Sequence, residues 1–362
     1  MKHCLILGTR PEIIKLSPVI RELKRLRAKF FIIHSNQHYS ARMDAIFFDE
    51  LNLPRAKYNL KVGSGTQGEQ TAKIIERAEK VLIKEKPDIV YVQGDTNTVL
   101  AGALAAAKLQ IPVAHVEAGL RSYDRTMPEE INRVVADHIS DFLFAPTYGQ
   151  RKILLEEAIK PKNIFVVGNT IVDAVNQSLK IAHQKSKILE KLKLRPGKFF
   201  LLTLHRPANV DEKTALQNVL EGLDSVCQKF NLPIVFPVHP RTKKQVEKFK
   251  VSCPAGIKMI EPVGYLEMLI LQKESRLIMT DSGGIQEEAC LLQKPCVTIR
   301  ENTERPETVE VGGNILVGND PKKIFKGVSV MLEKEIRWRN PFGHGDAGRR
   351  IVKIIRKNVK TN

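Results

Sequence analysis

Asp281-Ser282-Gly283-Gly284-Ile285-Gln286-Glu287-Glu288 follows the apolar run Leu277-Ile278-Met279. The run reads as a buried strand, and Ile285 to Leu292 reads as a helix. A strand, a two-glycine turn and a helix start bring free backbone N–H groups and the positive end of a helix dipole to one point, where a phosphate is stabilised. Glu288 lies in the first turns of that helix, so its carboxylate can reach a ribose hydroxyl while the glycines leave space for a diphosphate. Taken by itself the stretch also fits an ordinary glycine turn capped by Asp281 or Ser282. Its surroundings decide between the two.

Outward from this turn, strand-like runs near 199–204, 233–238, 257–260, 276–280, 295–299 and 314–317 alternate with helical patterns such as Ala215 to Lys229 and Pro321 to Leu332. The first half has the same rhythm. Its strands fall near 4–7, 30–34, 88–92, 112–116, 142–145 and 164–167, with helices over Pro11 to Arg27, Gln70 to Lys84, Thr98 to Lys108 and Pro128 to Ile139. Short apolar strands alternating with helices imply parallel sheets covered on both faces. The pattern resets after Gly168-Asn169-Thr170, where a polar, lysine-rich stretch from Gln177 to Lys198 intervenes. A chain of 362 residues also exceeds the size at which one core keeps growing. The expected fold class is α/β: two doubly wound, Rossmann-like parallel-sheet domains facing a cleft. Their expected limits are 1–170 and 171–345, with a terminal helix in 346–362 that can pack back on the N-terminal domain; only the last few residues look unstructured.

With 58 Lys+Arg against 40 Asp+Glu the net charge is +18, which suits an anionic partner such as nucleic acid, an acidic membrane surface or a phosphorylated small molecule. There is no RNA-binding aromatic signature, zinc-finger spacing or basic tail, and much of the excess is scattered over helix-like stretches. Neither nucleic acid nor membrane is therefore expected as a partner. Five widely spaced cysteines, without a C-x-x-C pattern, suit reduced thiols. No apolar run approaches the length of a membrane span, and the chain enters a strand-like Cys4-Leu5-Ile6-Leu7 directly. A cytoplasmic protein is the expectation.

In such sheets ligands bind beyond the carboxyl ends of the strands. Gly8-Thr9-Arg10-Pro11-Glu12, Gln93-Gly94-Asp95 and His115-Val116-Glu117-Ala118-Gly119 stand at those ends in the first half. His205-Arg206, His239-Pro240-Arg241, Glu261-Pro262, the Asp281 turn and Arg300-Glu301 stand there in the second. Too few glycines follow the first strand for a dinucleotide fingerprint, so a nicotinamide cofactor is not expected. Arg10 precedes Pro11, a good first residue of a helix, and Lys15 falls on the next turn. Asp95 and Glu117 end neighbouring strands; either could be a helix cap, but two together suggest acid–base chemistry. Glu129 and Glu130 open a helix with Arg133 four residues beyond the first of them, so one of the two is explained by dipole stabilisation and an ion pair. Glu129 is assigned to the cleft and Glu130 to structure. His205 can donate to a diphosphate or shuttle a proton, and Arg305 can fork onto phosphate or ribose oxygens.

These motifs occur in one order: Gly8 to Glu12, Gln93-Gly94-Asp95-Thr96, His115 to Arg121, Pro128-Glu129-Glu130-Ile131-Asn132-Arg133, Asp281 to Glu288 and Glu304-Arg305-Pro306-Glu307. In that series the chain resembles the non-hydrolysing UDP-N-acetylglucosamine 2-epimerases. The resemblance implies a GT-B-like fold, a homodimer, and interconversion of UDP-GlcNAc and UDP-ManNAc for surface glycan synthesis, with neither metal nor other cofactor. It implies catalytic roles for Asp95, Glu117, Glu129 and His205. It implies nucleotide-sugar contacts for Arg10, Lys15, Ser282, Gly283, Gly284, Glu288 and Arg305, and a uracil pocket lined by Val263 and Met268. Two departures stand out. The family's His-Arg-x-Glu-Asn is here His205-Arg206-Pro207-Ala208-Asn209, and Glu69 occupies the place of an arginine that serves an activator site in bacterial members. Alternatives are a hydrolysing 2-epimerase, a glycosyltransferase of the same fold, and a nucleic-acid binder.

Overall fold

The computed structural model describes residues 1–37 and 47–359. Residues 360–362, where the sequence suggests loss of structure, lie outside that range. Two compact units form: Met1–Asn176 with Phe342–Asn362, and Gln177–Pro341.

The first unit is a seven-stranded parallel sheet of β1 (Lys2–Leu7), β2 (Lys29–His34), β3 (Tyr58–Asn59), β4 (Ile89–Gln93), β5 (Val113–Val116), β6 (Phe142–Ala145) and β7 (Ile164–Val166), in the order β3-β2-β1-β4-β5-β6-β7. Cys4 to Leu7 and Ile89 to Val92 are fully buried, as expected of strands covered by helices on both faces. The chain reverses its direction of growth between β1 and β4, which is where such sheets open a crevice. The helix Arg10–Arg25 starts at that point. Thr9 and Glu12 form a capping box there, and Pro11 fits its first turn.

The second unit is a six-stranded parallel sheet of β8 (Phe200–Thr203), β9 (Ile234–Pro237), β10 (Ile257–Ile260), β11 (Ile278–Thr280), β12 (Cys296–Thr298) and β13 (Asn314–Leu316), ordered β10-β9-β8-β11-β12-β13. Its reversal falls between β8 and β11. Strand residues such as Phe200, Leu202, Ile234, Phe236, Met279 and Val297 form one core with the helices Lys213–Phe230 and Pro321–Glu333. All five cysteines are unpaired thiols.

The fold is thus α/β with two parallel-sheet domains, GT-B-like in class. Three details differ from the sequence reading. β3 was not anticipated, because a two-residue, half-exposed edge strand leaves almost no hydrophobic pattern. The stretch 177–198 is largely helical: Thr170–Lys185 runs through it and Ile188–Leu192 follows, with exposed polar faces that mimic a linker. The unit boundaries fall at Asn176/Gln177 and Pro341/Phe342 rather than at 170/171 and 345/346. Hydrogen bonds explain the shift. Asn169 N donates to the Phe342 carbonyl at 2.8 Å, and Asp173 accepts from Ala347 N and Gly348 N at 3.2 and 3.1 Å, capping the terminal helix Ala347–Asn358. That helix packs along Arg10–Arg25 in the first unit.

Candidate active site

In the first unit the ends of β1, β4 and β5 bring Lys15, Gln93 and Glu117 together. Lys15 Nζ donates to both oxygens of Glu117 at 2.8 and 2.6 Å, and Gln93 Nε2 donates to Oε2 at 2.8 Å. The pair is buried, with side chains 9% and 4% exposed. Glu117 itself has φ +70°, in the left-handed region that costs a non-glycine residue roughly 1–2 kcal/mol. Two residues on, Gly119 has φ +85°, and a Cβ there would lie 2.7 Å from the Gln150 carbonyl. The backbone is therefore bent tightly at the carboxylate and just beyond it.

Asp95, at the end of β4, accepts from Arg133 at 2.5 Å, and Arg133 also holds Glu130 at 2.7 Å. Glu130 accepts from Ser122 N, Ser122 Oγ and Tyr123 N at 2.9, 2.8 and 3.0 Å, tying the loop after β5 to the helix Pro128–Ile139. So Arg133 pairs with Glu130, three residues before it on the same helix, and with Asp95. Glu129 is exposed on the first turn of that helix. Beneath these groups the buried Asp137 joins His115, Arg121 and the amide of Gly119. Glu12 is also buried. Burial, aided by the charge of Asp95, pushes its carboxyl up to about 7 against hydrogen bonds from Thr96, Gly8 and Thr9. Arg10 lies at the start of its helix with the guanidinium 4.9 Å from the centre of the Phe47 ring.

In the second unit the ends of β8 and β11 meet at Asp281. This fully buried carboxylate accepts from the amides of His205 and Arg206 at 2.9 and 2.8 Å and from Asn209 Nδ2 at 3.2 Å, and lies 3.0 Å from His205 Nδ1. Burial opposes its charge, but His205 and these amides hold its pKa below the usual value. Asp281 thus positions the His205 ring, a role its place in the sequence did not reveal, and Ala208 is exposed beside it. Ser282 is the N-cap residue of the helix Gly283–Leu291. A Cβ on Gly283 or Gly284 would approach no protein atom closer than 3.7 Å. Packing within the chain does not demand glycine there, whereas a ligand seated on the backbone amides would.

Further along that helix the buried Glu288 accepts from Gln272 Nε2 at 2.6 Å. Arg305 approaches the helix from the loop after β12, with Nε 2.7 Å from Glu287. Val263 precedes Gly264, the N-cap residue of the helix Tyr265–Glu274, and Met268 lies on that helix's first turn; both are half-buried. Glu69 forms a capping box with Thr66 at the start of the helix Gln67–Glu85. Among the described residues no cluster of three or more His, Cys, Asp or Glu is arranged to hold a metal ion, and no helix is long and apolar enough to cross a membrane.

A profile of the UDP-N-acetylglucosamine 2-epimerase family matches residues 21–356. The UDP-N-acetylglucosamine 2-epimerase of Methanocaldococcus jannaschii is 59% identical over 361 residues, covering 98% of this chain and 99% of the relative. The chain belongs to the UDP-N-acetylglucosamine 2-epimerase family. Its likeness to other members is of the same kind: the Methanococcus maripaludis UDP-N-acetylglucosamine 2-epimerase is 56% identical over 357 residues, with 97% of each chain covered. The crystal structure of the M. jannaschii UDP-GlcNAc 2-epimerase in complex with UDP-GlcNAc and UDP superposes with a TM-score of 0.92 at 59% identity, covering 99% of this chain and 100% of that one. Epimerases of this family are isomerases.

Proposed function

We propose that this chain is a non-hydrolysing 2-epimerase that interconverts UDP-GlcNAc and UDP-ManNAc. The observation that supports this most is Glu117: a carboxylate held by Lys15 and Gln93 on backbone bent into the left-handed region, in a chain of the epimerase family.

The hydrogen at C2 of an N-acetylhexosamine has no adjacent carbonyl to acidify it. Breaking the C1–O bond first overcomes this. The bonding pair leaves with UDP, the oxocarbenium-like C1 acidifies C2, and a carboxylate takes the C2 proton as the C1=C2 double bond forms. Return of a proton to the opposite face of C2, with re-addition of UDP at C1, gives the epimer with no net change of atoms. Two faces require proton carriers on both, and Asp95, Glu117 and Glu129 divide those roles. The departing diphosphate is stabilised by Ser282 and by the amides of Gly283 and Gly284 together with Arg10, His205 and Arg305, the preorganised electrostatics that usually dominate catalysis. Lys15 adds positive charge beside the sugar, Glu288 binds the ribose, and Val263 and Met268 line the uracil pocket. Water must be kept from the glycal intermediate. The reading carries with it a homodimer working in the cytoplasm and feeding ManNAc-type sugars to surface glycans.

The test is incubation with UDP-GlcNAc and separation of the products by anion-exchange chromatography. Appearance of UDP-ManNAc without free ManNAc is expected, with Glu117→Gln slowing turnover by about 10²–10⁴-fold, the usual contribution of a general acid or base. Free ManNAc with UDP would assign a hydrolysing reaction instead, and no turnover at all would overturn the epimerase reading.

A further inference from the structure

His115 is completely buried on β5, and both of its ring nitrogens face acceptors. Nδ1 lies 2.7 Å from Asp137 Oδ1 and Nε2 lies 2.8 Å from the carbonyl oxygen of Gly94. A backbone carbonyl can only accept. Asp137 is held as a carboxylate by Arg121 at 2.7 Å and by the amide of Gly119 at 3.1 Å. Both ring nitrogens must therefore carry hydrogen, which makes His115 an imidazolium. Burial opposes the charge, but the Asp137 carboxylate and the two hydrogen bonds outweigh it and raise the His115 pKa above its ordinary value. The charged groups around the ring are Asp137 from the helix Pro128–Ile139 and Arg121 from the loop after β5; Arg121 is in turn paired with Glu157 at 2.5 Å.

The connections matter more than the charge. Gly94 directly precedes Asp95. Asp137 holds residues 115, 119 and 121, on both sides of Glu117. We propose that His115, bridging Asp137 to the Gly94 carbonyl, is a positioning residue that fixes the Asp95 and Glu117 carboxylates relative to one another. This rests on the reading of Asp95 and Glu117 as the proton-transfer groups. A displacement of about 1 Å between such groups can cost on the order of 10²-fold in rate.

The test uses the full chain, with UDP-GlcNAc as substrate and 15N-labelled histidine. In the wild type, the 15N spectrum at pH 7.5 should show His115 with both ring nitrogens protonated; its resonance is assigned by its loss in His115→Gln. An unprotonated nitrogen would overturn the proposal, whether or not the protein turns over. A wild type with no epimerase activity would instead count against the functional reading. His115→Gln cannot span both acceptors, so kcat should fall by about 10²-fold with KM and UDP affinity unchanged. A folded variant with wild-type kcat would overturn it. Asp137→Asn preserves the shape and removes the counter-charge, so the His115 pKa falls. Its kcat deficit should shrink as the pH is lowered and the ring regains its proton. A deficit that is constant with pH would mean a purely structural role.

Discussion

Replacing Glu12 by glutamine should stabilise the protein, increasingly so as pH rises. Glu12 caps its helix by accepting from the amides of Gly8 and Thr9 and from the Thr96 hydroxyl. A glutamine oxygen can accept from the same amides, while its NH₂ donates to the Thr96 oxygen. What changes is ionisation. Burial raises the carboxyl from 4.5 to about 7, so in the wild type the protonated form is favoured in the fold. A carboxyl with a raised folded pKa withdraws stability as the pH climbs from its unfolded to its folded value, and the loss is complete above the latter. At 1.36 kcal/mol per pKa unit the full loss is about 3 kcal/mol, of which most appears between pH 5 and pH 8. The amide of the Glu12→Gln variant does not titrate. Urea denaturation followed by circular dichroism at pH 5, 6.5 and 8 should therefore show the variant's advantage growing by about 2–3 kcal/mol across that range, on top of any constant offset from altered hydrogen bonds. A difference from wild type that stays constant with pH would refute the reasoning.

Lys15→Met removes the ammonium from a pair that is almost wholly buried, for which a loss of about 3–5 kcal/mol is typical. Urea denaturation at pH 7 should show a loss of this size; a variant as stable as the wild type would mean that the pair contributes little. Gly284→Ala adds a methyl group where the chain has room. Thermal melting should show it at least as stable as the wild type, whereas calorimetry should show UDP binding weakened tenfold or more; unchanged UDP affinity would remove the helix start as the diphosphate site.

Much of this was legible in the sequence because parallel sheets write themselves as short apolar runs. Each run anticipated in both halves became a strand, and the residues that end β1, β4, β5, β8 and β11 could be named before any coordinate. What could not be read is whatever depends on contacts between distant segments. The helix start Glu129-Glu130 with Arg133 suggests a helical ion pair, and Glu130 forms one, but the second partner of Arg133, Asp95, lies 38 residues away and is brought to it only by the fold. Asp137 looks like one more polar residue on an amphipathic helix. Its burial against His115, 22 residues away, appears only once β5 lies beside that helix. Asp281 was legible as a turn residue and not as the group that orients His205. The first domain boundary was misplaced because a helix with a polar outer face reads as a linker until the hydrogen bonds from Asn169 and Asp173 to the terminal segment are seen.

The account turns on removal and return of the proton at C2, and proton NMR of the wild-type protein with UDP-GlcNAc in deuterated water tests it most directly. Elimination and re-addition predict a growing UDP-ManNAc signal with deuterium at C2, and gradual loss of the C2 proton from the remaining UDP-GlcNAc. Epimer formed with full C2 protium, or substrate that keeps its proton indefinitely, would contradict it.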